Sequence, residues 1–97
     1  MALWFDEKAP DMAKGWWEFY NAVEAEGKLD KKTKALIAVA VGVHGRCQHC
    51  TESRIKKALS LDISKEEIAE TIMTTALLSS GTELLWAKEV YDKYLGE

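Results

Sequence analysis

Both cysteines of this chain fall in one short run, GRCQHCTESRIKK at residues 45–57. Cys47 and Cys50 are three apart, His49 sits between them, and Arg54 follows four residues after Cys50 and seven after Cys47. On a helix that spacing puts the cysteines and the arginine on one face, with the two Cβ atoms about 5–6 Å apart. A disulfide needs about 3.5–4.5 Å, so the first turn must tighten as the pair oxidises, and a bridge made this way should exchange readily. The exposed amides of a helix start favour anions, and so does nearby positive charge from His49 or Arg54. This is an arrangement for holding a thiolate.

Two other chemistries use the same residue types. A metal reading recruits His44, Cys47, His49 and Cys50, but four ligands within seven residues can hardly close one tetrahedron, and structural zinc sites usually draw on two separated clusters. No metal and no cofactor is therefore expected. Haem attachment would need a histidine directly after Cys50, where Thr51 stands. The plainest reading makes both cysteines small buried hydrophobes, a common fate of free cysteine; polar neighbours on both sides of the pair argue against it.

The elements that must position this run read as helices throughout. A first helix is expected to open at Ala9 or Pro10, with proline in the first turn. Its apolar stripe would be Met12, Trp16, Phe19, Tyr20 and Val23, its stop Gly27, and Trp17 would lie off the stripe at an edge or interface. Asp30 caps a second helix over Lys31 to His44, whose ALIAVAVGV run is apolar on every side and predicts a central, fully buried helix. Gly42 and Gly45 let the chain break before the cysteines. A third helix is expected from Cys47 to Ser60, with Ile55, Ala58, Leu59 and Leu61 inward. Ser64 and Glu67 make a capping box for a fourth, with Ile68, Ile72, Met73, Ala76 and Leu77 as its apolar face. SSGT should end that helix, and Thr82 should cap a fifth. The expectation is one all-α domain over residues 1–97, with an N-terminal helix in 1–30 and a core in 31–97.

Composition narrows the function classes. The chain has 97 residues, 13 Lys+Arg against 16 Asp+Glu, and interspersed signs. No basic stripe offers itself to phosphates, so nucleic acid is not an expected partner. The start, MALWFDEKAP, has no signal-peptide pattern, and the longest apolar run, Ala35 to Val43, is too short to cross a bilayer. A cytoplasmic protein with no membrane partner is expected, where paired cysteines are catalytic, redox-sensing or metal-binding rather than a structural scaffold. Four tryptophans in so short a chain suggest packing between subunits as well as within one. Trp4, Phe5, Trp16, Trp17 and Trp86 are too much apolar surface for one small core, so a homo-oligomer is expected.

KALIAVAV, then GRCQHC opening a helix, then KKALSLDISKEEIAETI together resemble the carboxymuconolactone decarboxylase / alkyl hydroperoxidase D-like family, from roughly Lys31 to Leu85. The turn here reads SLDIS, without the glycine many members carry. The resemblance implies an all-α subunit assembling as trimers or hexamers, and cysteine-dependent peroxide reduction in the branch that carries C-x-x-C. The cysteine-free branch acts on a lactone ring, and the motif argues against membership there. The peroxidase pattern is a glutamate twelve residues before the first cysteine, then C-x-H-C, then a histidine four residues after the second. Cys47, His49 and Cys50 match; Ala35 stands at the glutamate position and Arg54 at the later histidine position.

Those two departures bear on the chemistry. The family's glutamate and histidine are thought to relay protons. Alanine has none to move, and arginine stays protonated. General acid–base help contributes about 10²–10⁴-fold in rate, so His49, or His44 at the preceding helix end, would have to take over part of the relay, as histidine's unperturbed pKa near 6.5 permits. His44 serves equally well as a C-terminal residue favouring the helix dipole. Two functions are expected as rivals. The first is a thiol–disulfide redox protein that reduces a small peroxide or a partner-protein disulfide, is recharged by a dithiol donor, and uses Cys47, Cys50, His49 and Arg54. The second is a non-catalytic oligomeric binding module with a degenerate or redox-sensing pair.

Overall fold

The computed structural model describes residues 2–96. Its element order is α1 (Phe5–Lys8), α2 (Pro10–Glu24), α3 (Lys31–His44), α4 (Gln48–Ser60) and α5 (Lys65–Leu95). Among the described residues there is no strand, as the absence of period-two patterning requires. The chain falls into two compact units, divided between Lys34 and Ala35.

In the first unit the short α1, which the periodicity did not announce, decides which side of α2 is covered. Phe5 stacks on Trp17 at 6.2 Å and meets Trp16 edge-on at 6.3 Å, and Trp17 packs on Tyr20 at 5.3 Å. The Asp6 carboxylate accepts both the Trp17 indole N–H and the Leu3 amide, each at 2.6 Å. Ala13 is buried and Trp17 and Tyr20 half-buried, while Met12, Trp16, Phe19 and Val23 of the expected stripe are exposed. The stripe expectation is thus corrected: α1 supplies the indole's acceptor, and that turns the 13/17/20 face inward. The helix also ends before Gly27, at Glu24. The Lys34 ammonium there takes the carbonyls of Val23 at 2.8 Å and Ala25 at 2.6 Å, which satisfies the helix end without glycine.

Asp30, still in the first unit, precedes α3 and its carboxylate accepts the Thr33 amide at 2.7 Å, an N-cap bond; the second unit begins inside α3, at Ala35. The core is Ala35, Val39, Ala58, Ile63 and Ile68, with Leu36, Val43, Ile55, Leu61 and Ile72 packed around it. Ala35, Val39 and Gly42 form the buried face of α3. Ile37 and Val41 on the other side are exposed, so α3 is one-sided rather than fully buried. Leu59 of α4 and Met73, Ala76 and Leu77 of α5 are likewise exposed, against expectation.

Both breaks in this unit use the same device. At the end of α3 the Cys47 N–H bonds the Gly42 carbonyl at 3.1 Å and the Arg46 N–H bonds that of Val43 at 3.0 Å. At the end of α4 the Ile63 N–H bonds the Ala58 carbonyl at 3.2 Å and the Asp62 N–H bonds that of Leu59 at 3.1 Å. Each pair is the 6→1 and 5→2 bonding of a Schellman motif, which demands a left-handed residue just past the helix. Arg46 at φ 55° and Asp62 at φ 61° supply it. Gly45 does not, so the chain breaks one residue later than its glycine suggests. Asp62 takes the place of the turn glycine missing from SLDIS.

The capping box at Ser64 and Glu67 forms as expected. The break at SSGT does not form: α5 runs on through it for 31 residues. Ser80 returns its hydroxyl to the Leu77 carbonyl at 2.7 Å, as Thr71 and Thr75 do to carbonyls a turn back, so polar side chains are satisfied within the helix. One glycine costs a helix about 1 kcal/mol, too little to stop it alone. No described helix is long and apolar enough to cross a membrane.

Candidate functional site

Cys47 belongs to two helix ends at once. It closes the Schellman motif of α3 through its amide, and its extended backbone (φ −99°, ψ 100°) makes it the N-cap of α4. Its sulfur accepts the Cys50 amide at 3.1 Å. Because Cys47 stands outside the helix, its side chain folds back over the first turn, and the two cysteines pair as a disulfide with Cα atoms 5.2 Å apart. The expected 5–6 Å gap between Cβ atoms assumed both residues inside a helix, and the N-cap conformation removes that assumption. Both cysteines are half-buried, so neither is sealed in the core.

The site is set against α3 by one small residue. A Cβ on Gly42 would lie 3.1 Å from the Thr51 hydroxyl, 3.3 Å from the Thr51 amide nitrogen and 3.3 Å from Arg54 Nη1. Gly42 therefore serves as a notch that admits the first turns of α4. Thr51 Oγ1 donates to the Cys47 carbonyl at 2.8 Å, beside the backbone bond from Thr51 N at 2.9 Å. Thr51 was not singled out from the sequence; its place four residues after the first cysteine, with a hydroxyl able to bond back, was the available signal.

The other candidate residues scatter around this centre. Arg54 is half-buried, and its Nη1 donates to the Ala38 carbonyl of α3 at 3.1 Å. That bond ties α4 to α3. His49 is exposed in the first turn of α4. His44, in the last turn of α3, shares a 3.0 Å hydrogen bond between Nδ1 and the Ser79 hydroxyl of α5. Ala35, at the relay glutamate's place, is buried in the core beside Val39 and Ala58. His44, Cys47, His49 and Cys50 do not converge, and no group of three or more His, Cys, Asp or Glu side chains among the described residues could hold a metal.

Comparison with known proteins bears on the whole arrangement. The protein called "Uncharacterized protein 4 in cox locus" of Paracoccus denitrificans is 42% identical over 61 residues, 63% of this chain. The match spans 55% of that relative's length. A crystal structure of a protein from Methanobacterium thermoautotrophicum superposes with a TM-score of 0.82 at 36% identity, covering 90% of this chain and 95% of the other. A carboxymuconolactone decarboxylase family protein from Legionella pneumophila, solved in its apo form, superposes with a TM-score of 0.71 at 28% identity, covering 96% and 85%. The model of the carboxymuconolactone decarboxylase family matches residues 10–93, nearly the whole helical chain with its cysteine pair, and this chain belongs to that family.

Proposed function

We propose that this protein is a thiol–disulfide redox protein of the alkyl hydroperoxidase D-like kind. It reduces a small peroxide or a partner's disulfide in a reducing compartment and works as an oligomer. The observation that carries the reading is the half-buried Cys47–Cys50 pair at the start of α4, with the Cys50 amide aimed at the Cys47 sulfur. In the reduced state that amide and the first-turn dipole favour a thiolate. One thiolate attacks a peroxide oxygen, the O–O bond breaks, and the alcohol leaves with a proton. The second thiol then displaces hydroxide from the sulfenic acid as water and closes the disulfide. Two electrons pass from the dithiol to the peroxide, and a small dithiol donor restores the pair by exchange.

To His49, exposed in the first turn of α4 next to Cys50 in sequence, we assign the proton transfer, since histidine is the side chain of the motif able to carry a proton near neutrality. Arg54 adds positive charge on the α4 side of the site. A second reading, a redox-sensing or binding module, is favoured by Ala35 and Arg54. One lies in the core and the other gives its guanidinium to a carbonyl, so neither relays protons.

The experiment is turnover of an organic hydroperoxide with a dithiol reductant, alongside mass spectrometry of the mildly oxidised protein. An enzyme loses turnover in both Cys47→Ser and Cys50→Ser. Unchanged turnover in either removes the peroxidase. A pair that oxidises and reduces reversibly without turnover selects the sensing module.

A further inference from the structure

Among the described residues, Arg54 is a half-buried cation that no carboxylate pairs with. It stands four residues after Cys50, so the two share one face of α4 about one turn apart. Its Nη1 donates to the Ala38 carbonyl at 3.1 Å. Gly42 leaves the space for this contact. A Cβ there would lie 3.3 Å from Nη1 and 3.1 Å from the Thr51 hydroxyl, which itself donates to the Cys47 carbonyl. The guanidinium is thus held against α3, beside the turn that carries the cysteines. Glu52, two residues earlier, pairs instead with Lys56 at 3.2 Å. A guanidinium has five N–H donors, and no buried side-chain nitrogen among the described residues lacks a partner. The donors that Ala38 leaves over therefore open to solvent.

With the cysteines joined as a disulfide, neither sulfur is charged, so the guanidinium has no counter-ion in the state that meets a reductant. Half-burial makes an unpaired cation costly and favours an arriving anion. We infer that Arg54 selects the electron donor, a thiol bearing a carboxylate that the guanidinium takes as the donor's sulfur reaches the pair. This rests on the redox reading and names the donor class for that site. Arginine suits the task, because its planar fork matches a carboxylate and stays charged where a histidine would titrate.

The donor's thiolate attacks one sulfur of the pair, the Cys47–Cys50 bond breaks, and a mixed disulfide forms with one cysteine thiolate released. A second donor thiolate attacks the donor sulfur of that mixed disulfide and frees the other cysteine. Two electrons enter the pair, the donor leaves as its own disulfide, and the cysteine thiolates take protons from water. The chain's net charge of −3 repels anions at a distance, so a preference for the more negative donor has to come from a local cation.

The test compares 3-mercaptopropionate with 3-mercaptopropionamide, which differ in one carboxylate, as reductants of the oxidised full chain. Opening of the disulfide is followed by mass spectrometry and each rate is expressed per thiolate. The carboxylate reagent should react about tenfold faster, the worth of one charge-assisted contact. An equal or slower rate overturns the inference and leaves the redox reading standing. If neither thiol opens the pair while both open a small-molecule disulfide, the redox reading falls and the inference with it. In Arg54→Gln the ratio should drop to one or below, with circular dichroism checking that the helices remain; a retained ratio in the folded variant overturns the inference. Arg54→Lys, which keeps the charge without the fork, should fall between the two. Arg46→Gln removes an exposed cation next to Cys47 and should leave the ratio unchanged; a loss there as large as in Arg54→Gln overturns the role given to Arg54.

Discussion

Two residues held in the left-handed region, Arg46 and Asp62, carry the turns that bound α4. An L-residue there costs roughly 1–2 kcal/mol, and glycine returns about 0.5–1 of it as extra freedom of the unfolded chain. Arg46→Gly should therefore raise stability by about 0.5–1 kcal/mol in urea melts. Asp62→Gly should gain less, because aspartate tolerates this conformation better than arginine. A loss of stability in Arg46→Gly would show that the Schellman turn does not form. Arg54 is separable in the same way. Arg54→Gln removes a charged donor from the Ala38 carbonyl and should cost about 1–2 kcal/mol. If Arg54 also supports a thiolate, the reduced pair of that variant should alkylate more slowly at neutral pH, and Arg54→Lys should recover the rate. The cysteines, His49 and Arg54 could be named from the sequence because residue type and spacing carry chemistry on their own. Gly42 as a notch and Arg46 as a left-handed cap could not, since each depends on where the next helix lies.

At the scale of elements, the continuity of α5 is the point most open to test. A Cβ on Gly81 meets nothing within 4 Å. In an uninterrupted helix Gly81→Ala should add about 0.8–1 kcal/mol of stability. If the helix broke at SSGT, as the sequence suggests, alanine would remove the freedom the break needs and stability would fall. The start of the chain makes a pH prediction. The Trp17 indole, and after it the Leu3 amide, bond the Asp6 carboxylate and hold its pKa below the ordinary 3.8. The Thr33 amide, then its side chain, lowers that of Asp30 in the same direction. A carboxyl group lowered in the folded state binds protons more readily unfolded, so its contribution is present above 3.8 and is lost as pH falls through the lower folded value. Tryptophan fluorescence followed down through that window should report the first unit loosening, and Asp6→Asn should remove the pH-dependent part of the change.

For the molecule as a whole, the quantity that matters is how little the chain covers. Among the described residues the buried apolar ones are Ala13, Ala35, Val39, Ala58, Ile63 and Ile68, three of them alanines. A core of this size leaves a short chain marginal by itself. Val39, 0% exposed, should cost about 2 kcal/mol as Val39→Ala, near the worth of its buried methyls. If copies of the chain cover its exposed apolar side chains, association and folding are linked. The thermal midpoint should then rise by several degrees when concentration is raised about a hundredfold. A midpoint independent of concentration would mean that the small core stands alone.

The sequence by itself determined the all-helical class, the caps at Asp30 and Ser64, the positions of the inter-helix breaks near 45 and 62, and the cysteine pair opening a helix. These follow from local rules: the period of apolar residues, side chains that bond the nearest amides, and fixed spacing along one turn. Only the tertiary structure decided which faces are covered. It turned the 13/17/20 side of α2 inward through Asp6 and Trp17, left Ile37 and Val41 of α3 outside, and carried α5 through SSGT. It also made Cys47 the junction of two helix ends. Which sides of α2 and α3 are covered depends on contacts between residues far apart along the chain, whereas the run of α5 through SSGT and the cap at Cys47 rest on bonds within a turn or two that outweigh the roughly 1 kcal/mol a single glycine costs a helix.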